Sequence, residues 1–282
     1  MAVLHCMAKS KQKILILGVS GFLGKNLYKE LYPYFDVYGT YHTTTPKLSK
    51  NKQFFLWDAE QELPGILLES LKPDVIISAF RAELNALVYA HFDIMNYLIK
   101  YDKKLIYISS SNVFDAFTNF PSYEYDKTLS QSKYGLFQIK IENALLRLPN
   151  HLYNIVRVPM IFGHDSPKIN EIKLLYDLKQ PIEVFPNVVI NATVHHKFTQ
   201  QIHYIINRKK EGVFHLGSTD LIHHYELIEE ICDVLQLENP IFKQVYDSNE
   251  DRFIAVIPRD NMLPKNLQIS IDEVIEKSIK IQ

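Results

Sequence analysis

The chain has 282 residues, 47% of them hydrophobic and 22% charged, enough to bury a sizeable core as one large domain or as two unequal ones. A formal charge of -1 leaves no global field for nucleic acid or an anionic membrane, and no stretch has the roughly 18 uninterrupted apolar residues of a membrane span. Two cysteines, Cys6 and Cys232, are too distant in sequence to imply a disulfide framework, so a reducing cytoplasm is the expected compartment.

The opening "MAVLHCMAKSKQK" lacks a long apolar segment after a basic start, which argues against a signal peptide. Residues 1–12 are expected to be a disordered extension, with Met7 an alternative start to Met1. "KILIL" (13 to 17) is a short continuous apolar run, the pattern of a strand buried on both faces. It leads into "GVSGFLG", and Leu23, Leu27 and Leu31 then recur every four residues until Pro33, which predicts a helix over 22–32.

Gly18, Gly21 and Gly24 thus form GxxGxxG between a strand and a helix, the context that a dinucleotide-binding turn requires. Gly18 permits the tight turn, Gly21 lets backbone approach a pyrophosphate, and Gly24 lets helix and sheet pack closely. Ser20, Phe22 and Leu23 complete the expected phosphate site, where the N–H groups of the helix start face the anion. The plainer alternative is a set of turn glycines with no ligand.

The second strand, "DVYGT" (36 to 40), ends in "YHTTTPK" without the acidic residue that would bond an adenosine 2'-hydroxyl. Thr40, His42, Thr43 and Lys47 suit a 2'-phosphate instead, so NADP is the expected cofactor, with NAD as the alternative and ordinary loop residues as the plainer reading. Further strands are predicted at 54–57, 74–79, 104–109 and 154–158, with helical periodicity at 83–101 and 131–148. Such alternation predicts an α/β fold, a doubly wound parallel sheet of Rossmann type.

Beyond Pro159 the rhythm loosens into proline-bounded pieces, with helices near 196–209 and 223–236. A dinucleotide-binding domain over 13–160 and a smaller substrate-binding lobe over 161–282 are expected, with "GVFHLGS" (212 to 218) a candidate to rejoin the main sheet. Trp57 and the many other aromatic residues fit core positions. The pairs His195–His196 and His223–His224 invite a metal, but adjacent helical side chains diverge and no Cys or Glu cluster completes a site, so none is expected. "NRKKE" is a solvated helix end.

The glycine turn, "YISSSNVFD" (107 to 115) at the end of a strand, and a "YG" whose tyrosine precedes Glu142 by eight residues together resemble the extended short-chain dehydrogenase/reductase superfamily. Within it the chain looks most like dTDP-4-dehydrorhamnose reductases and related sugar-nucleotide-binding proteins. The likeness runs from about residue 13 to 236, through "RVPMIFG" (157 to 163) and "GVFHLGSTDLIHHYELIEEI" (212 to 231). It implies a hydroxyl residue at Ser110, a tyrosine at Tyr134, adenine contacts at Asp58 and Ala59, and contacts to the middle of the cofactor at Ala79, Phe80 and Arg81. Pro159 and Met160 would meet the nicotinamide side. Asn191 to Val194, Thr193 included, would line the sugar-nucleotide site, an ordinary loop being the alternative. Where the family often has an acid after the hydroxyl residue, this chain has Ser111, and Arg157 fits an anchor between lobes better than a substrate ligand.

One position departs from the pattern. The family's motif is YxxxK, because four residues along a helix are about 40° of rotation, the same face one turn on. A tyrosine of ordinary pKa near 10 is a reluctant proton donor in such chemistry until a nearby ammonium favours its charged form. Here the fourth position after Tyr134 is Gln138, able to bond a ribose hydroxyl but neutral. Lys140 lies about 120° away from the face of Tyr134 and Lys133 about 100°, and Lys140 is expected to pair with Glu142 on the exposed side. Tyr123 and Lys127 also spell YxxxK, in a segment that reads as a loop. The resemblance therefore implies an NADP(H)-dependent reductase of a nucleotide-activated 4-keto-6-deoxy sugar, with Tyr134 as proton donor, Ser110 orienting the carbonyl and Gln138 holding the ribose; a homodimer is compatible with it. The alternative is a non-catalytic or regulatory binder that keeps the dinucleotide site, as the regulatory subunit of methionine adenosyltransferase does in that superfamily.

Overall fold

Aliphatic side chains at every position from Ile14 to Leu17 suit a strand covered on both faces, and Lys13–Leu17 forms the interior strand β1. The computed structural model describes residues 11–116, 119–246 and 249–280. Cys6, most of the expected N-terminal extension and the choice between Met1 and Met7 lie outside the described residues.

From β1 the chain passes through α1 (Phe22–Leu31) to β2 (Asp36–Tyr41), one turn of α2 (Pro46–Ser49) and β3 (Phe54–Leu56). Next come α3 (Gly65–Leu71), β4 (Val75–Ser78), α4 (Leu84–Tyr101), β5 (Lys104–Ser110), α5 (Lys133–Leu145) and β6 (Tyr153–Val158). The smaller lobe opens with β7 (Met160–Phe162), α6 (Pro167–Asp177), β8 (Ile182–Val184), β9 (Val188–Ile190) and β10 (Ala192–Val194). After α7 (His195–Asn207) and β11 (Gly212–His215) it resumes with β12 (Ile222–His223), α8 (His224–Val234), β13 (Phe242–Gln244), β14 (Arg252–Ile254) and α9 (Ile271–Lys277).

Seven strands form one sheet in the order β11-β6-β5-β4-β1-β2-β3, every neighbouring pair parallel. This is the doubly wound architecture. Because side chains alternate along a strand, Leu15, Leu17, Ile76 and Leu105 face one core with α4 and α5, while Ile14, Ile16, Ile77 and Ile106 face another with α1 and α7. The order reverses between β1 and β4, where a doubly wound sheet opens its ligand crevice.

Beyond residue 160 the chain returns once to the main sheet, at the segment 212–218 that the sequence marks as a candidate to rejoin it. β11 pairs with β6 at the edge of the main sheet, and α7 buries Phe198, Ile202 and Ile205 in the same core as Leu27 and Leu31 of α1. Residues 195–216 therefore build on the first unit, and the chain crosses back into a lobe whose own core joins Phe162, Val184, Ile190 and Val194 to Leu227 and Ile231. The segment holding Tyr123 and Lys127 contains no helix, and Arg259 lies over the Tyr123 ring, 3.9 Å from its centre.

Candidate active site

The glycine turn is built around close backbone approach. Gly18 has φ +89°, and a Cβ there would lie 2.7 Å from the Ala79 carbonyl oxygen. At Gly24 a Cβ would stand 2.1 Å from the Gly18 oxygen, so the helix can sit on the turn only without a side chain. Gly21 caps α1 with no side-chain hydrogen bond, and no acid occupies the first turn. The N–H groups of that turn are consequently available to an anion, which is what a pyrophosphate site needs.

Support comes from β2. The Gly18 N–H donates to Thr40 Oγ1 at 3.0 Å and the Val19 N–H to the Thr40 carbonyl at 2.8 Å. The Thr40 hydroxyl thus accepts from the turn while the residue also lines the crevice, so it braces the glycine turn from within the expected cofactor site. Lys47 is exposed on α2 and does not line the crevice, whereas His42 does, 3.3 Å from Asp58.

The crevice has a volume of about 810 Å³ and runs from the turn to the end of β5 and the start of α5. Ser20, Gly21, Phe22 and Leu23 line one end, Asp58 and Ala59 the β3 side, Ala79, Phe80 and Arg81 the middle, and Pro159 with Met160 the side of the small lobe. Behind them an aromatic floor runs from Trp57 through Phe80 and His91 to Tyr107, with ring centres 5.0–5.4 Å apart. His91 bonds the Leu87 carbonyl through Nδ1 and Ser78 through Nε2, and burial lowers its pKa to about 4, so it is neutral.

Helix α5 is fixed at both ends. At its start the Asp115 carboxylate accepts hydrogen bonds from the Ser130 and Ser132 hydroxyls and the Gln131 N–H. Burial alone would raise the Asp115 pKa, but these donors outweigh it and hold the group below its ordinary value. Ser132 caps the helix, and a Cβ at Gly135 would lie 2.1 Å from Ser130 Oγ and 2.3 Å from the Asn112 carbonyl. The glycine after Tyr134 therefore lets α5 close onto the loop that follows β5.

Tyr134, Gln138 and Glu142 then recur at four-residue spacing. Tyr134 is 47% exposed and lines the crevice together with Ser110 and Gln138. The Ser110 hydroxyl donates to Asn112 Oδ1 at 2.8 Å. Gln138 is buried, and Tyr107 donates its phenolic proton to Gln138 Oε1. Burial, with the Glu142 charge nearby, raises the Tyr107 pKa well above the ordinary value, so this phenol stays protonated.

Glu142 corrects the expected pairing with Lys140. It is buried, bonded by Ser109 Oγ at 2.6 Å and by Arg157 Nη2 at 2.7 Å, while Lys140 is exposed on the far side. Arg157 also donates to the Glu124 carbonyl at 2.9 Å, which makes it an anchor between α5, β6 and the loop before the helix. Lys133 and Lys140 do not line the crevice, and its lining cations are Arg81 and Lys168.

Three expected substrate contacts do not reach the crevice. Ser111 is buried in the turn after β5. Asn191 is fully buried, donating to the Ser218 and Val256 carbonyls and accepting from the Val256 N–H, and Thr193 is sealed inside the β7–β10 pair. Conversely, His91, Tyr107 and Lys168 line the crevice without having been singled out. Tyr107 sits at alternate spacing from Ser109 on a predicted strand, which was a usable signal; Lys168, in a proline-bounded piece, carried none.

A family model described as the RmlD substrate binding domain matches residues 12–266. Among curated proteins, methionine adenosyltransferase 2 subunit beta is 24% identical over 259 residues in Bos taurus and 26% identical over 265 residues in Mus musculus, each match covering 84% of this chain and 76% of the relative. A dTDP-4-dehydrorhamnose reductase from Bacillus anthracis in complex with NADP has the same fold, with a TM-score of 0.74, 21% identity, and 96% of this chain and 98% of that one covered. A Thermus thermophilus UDP-glucose 4-epimerase in complex with NAD superposes with a TM-score of 0.75 at 11% identity, covering 95% of this chain and 98% of that one.

Proposed function

Since the chain belongs to the family of the RmlD substrate binding domain, we propose that it holds a nicotinamide dinucleotide, NADP(H) with NAD(H) as the alternative, beside a nucleotide-activated 4-keto-6-deoxy sugar, and that its crevice serves binding more than turnover. The observation that carries this is the neutral side chain one turn from Tyr134. Gln138, one turn on from Tyr134, is buried, already bonded by Tyr107 and neutral. The uncapped start of α1 and the turn braced by Thr40 support the dinucleotide part, and the named relatives support the ligand classes.

The second reading is a slow reductase, favoured by Tyr134 standing half-exposed on the same wall as Ser110. The dinucleotide would supply hydride to the sugar carbonyl. Ser110 would give up its bond to Asn112 to orient the carbonyl oxygen, and Tyr134 would donate the proton. Losing a partner that shifts a tyrosine by one to three units withdraws on the order of 1 to 4 kcal/mol of preference for the phenolate, a tenfold to thousandfold slower step.

Titration of NADPH and NADH followed by single-turnover oxidation with a keto-sugar nucleotide tests the choice. Tight binding with little oxidation supports the binder. Brisk oxidation that Tyr134→Phe abolishes supports the reductase and overturns the binder.

A further inference from the structure

In an amide, only one end can donate, so the orientation of Gln138 decides what the crevice offers a ligand. The Tyr107 phenol is buried, stays protonated and has one hydrogen-bond partner among the described residues, Gln138 Oε1. The His91 ring, its centre 5.0 Å from that of Tyr107, cannot replace that acceptor. Both His91 nitrogens are already engaged, by Leu87 at 2.6 Å and Ser78 at 2.8 Å. With the amide reversed, Nε2 could donate to the phenolic oxygen, but the phenolic proton would have no acceptor among the described residues, a cost that a buried donor avoids.

The amide nitrogen is the end left over. Gln138 Nε2 has no protein partner among the described residues and is not sealed from solvent, and the residue lines the crevice. We propose that Tyr107 is a positioning residue that locks the Gln138 amide with its nitrogen toward the crevice, so that the site offers ligand hydroxyls two neutral N–H donors where a cation is absent. This rests on the dinucleotide reading, in which the hydroxyls belong to the ribose on the nicotinamide side. It adds that a tyrosine acting through the Gln138 amide governs how tightly that ribose is held.

The test is a double-mutant cycle read by dinucleotide affinity. NADPH and NADH are titrated into the wild type, Tyr107→Phe, Gln138→Leu and the double variant, with adenosine 2',5'-bisphosphate and ADP as controls that lack the second ribose. Tyr107→Phe is expected to weaken the bound dinucleotide roughly 3- to 10-fold, the range of one net hydrogen bond, and to leave the controls unchanged. In the Gln138→Leu background the same substitution should add nothing, a coupling that a general packing role would not produce. Gln138→Glu keeps an acceptor for Tyr107 but removes the N–H donors, and should weaken the dinucleotide at least as much.

Unchanged dinucleotide affinity in Tyr107→Phe, an equal loss for the controls, or an additive loss in the double variant would each overturn the proposal while leaving the dinucleotide reading intact. A wild type that holds neither dinucleotide at millimolar concentration overturns both.

Discussion

The two ends of the crevice are built to different standards of completeness. At the turn, Gly18, Gly21, Gly24, Thr40 and the uncapped start of α1 all serve one purpose, close approach of an anion to backbone N–H groups. At the α5 end, Asp115, Gly135, Glu142 and Arg157 hold Tyr134 in place with equal care, yet the cation that would make it a good acid is replaced by a neutral amide. Scaffold and chemistry are separable: a helix can keep its anchors and its tyrosine while the position that sets proton affinity changes.

The sharpest way to break the turn end is Gly24→Val, which forces a side chain into the Gly18 carbonyl. A loss of roughly 4 kcal/mol or more is expected, read as failure to fold or as a melting transition lowered together with dinucleotide binding. At the other end, Arg157→Met should cost about 3–5 kcal/mol by leaving the Glu142 carboxylate buried and unpaired, and Glu142→Leu about as much. The double variant should recover most of it. Chemical denaturation of the three proteins checks this, and simple additivity would show that the pair is not an isolated unit.

A smaller effect is expected from pH. Burial lowers His91 to about 4, and burial with the Arg157 charge lowers His215 to about 3, from an ordinary value of 6.5. Between pH 6.5 and about 4 the unfolded chain binds these protons and the native protein does not, so stability falls as the pH falls. The slope is up to about 1.4 kcal/mol per pH unit for each group. Melting midpoints should begin to drop just below pH 6.5, and His91→Gln should flatten part of the fall. A midpoint constant down to pH 4.5 would contradict the assignment of neutral buried imidazoles.

The sheet was readable because its strands are continuous apolar runs and its helices carry long stripes; α1, α4 and α5 form within a few residues of where Leu23, Leu27, Leu31 and the later periodicities place them. The seven residues of α3 and the helix α6 are too short or too polar to announce themselves. Site residues were legible where backbone decides, as at the glycine turn, and less so where side-chain direction decides. Asn191 has the right chemistry for a ligand, but its amide is consumed by the Ser218 and Val256 carbonyls and the Val256 N–H. Likewise Glu142 reads as a surface partner for Lys140, because its buried partner, Arg157, lies 15 residues further on in strand β6. Four-residue spacing shows which residues share a helix face, not whether that face meets water or a buried guanidinium.

The central claim is tested most directly by NADPH oxidation with a 4-keto-6-deoxy sugar nucleotide in wild type and Gln138→Lys, after both are shown to bind the dinucleotide. We expect the wild type to bind it and turn over slowly, and the lysine variant to react about tenfold to a thousandfold faster, with Tyr134→Phe abolishing that gain. A wild type that is already fast and gains nothing from the lysine would contradict the account.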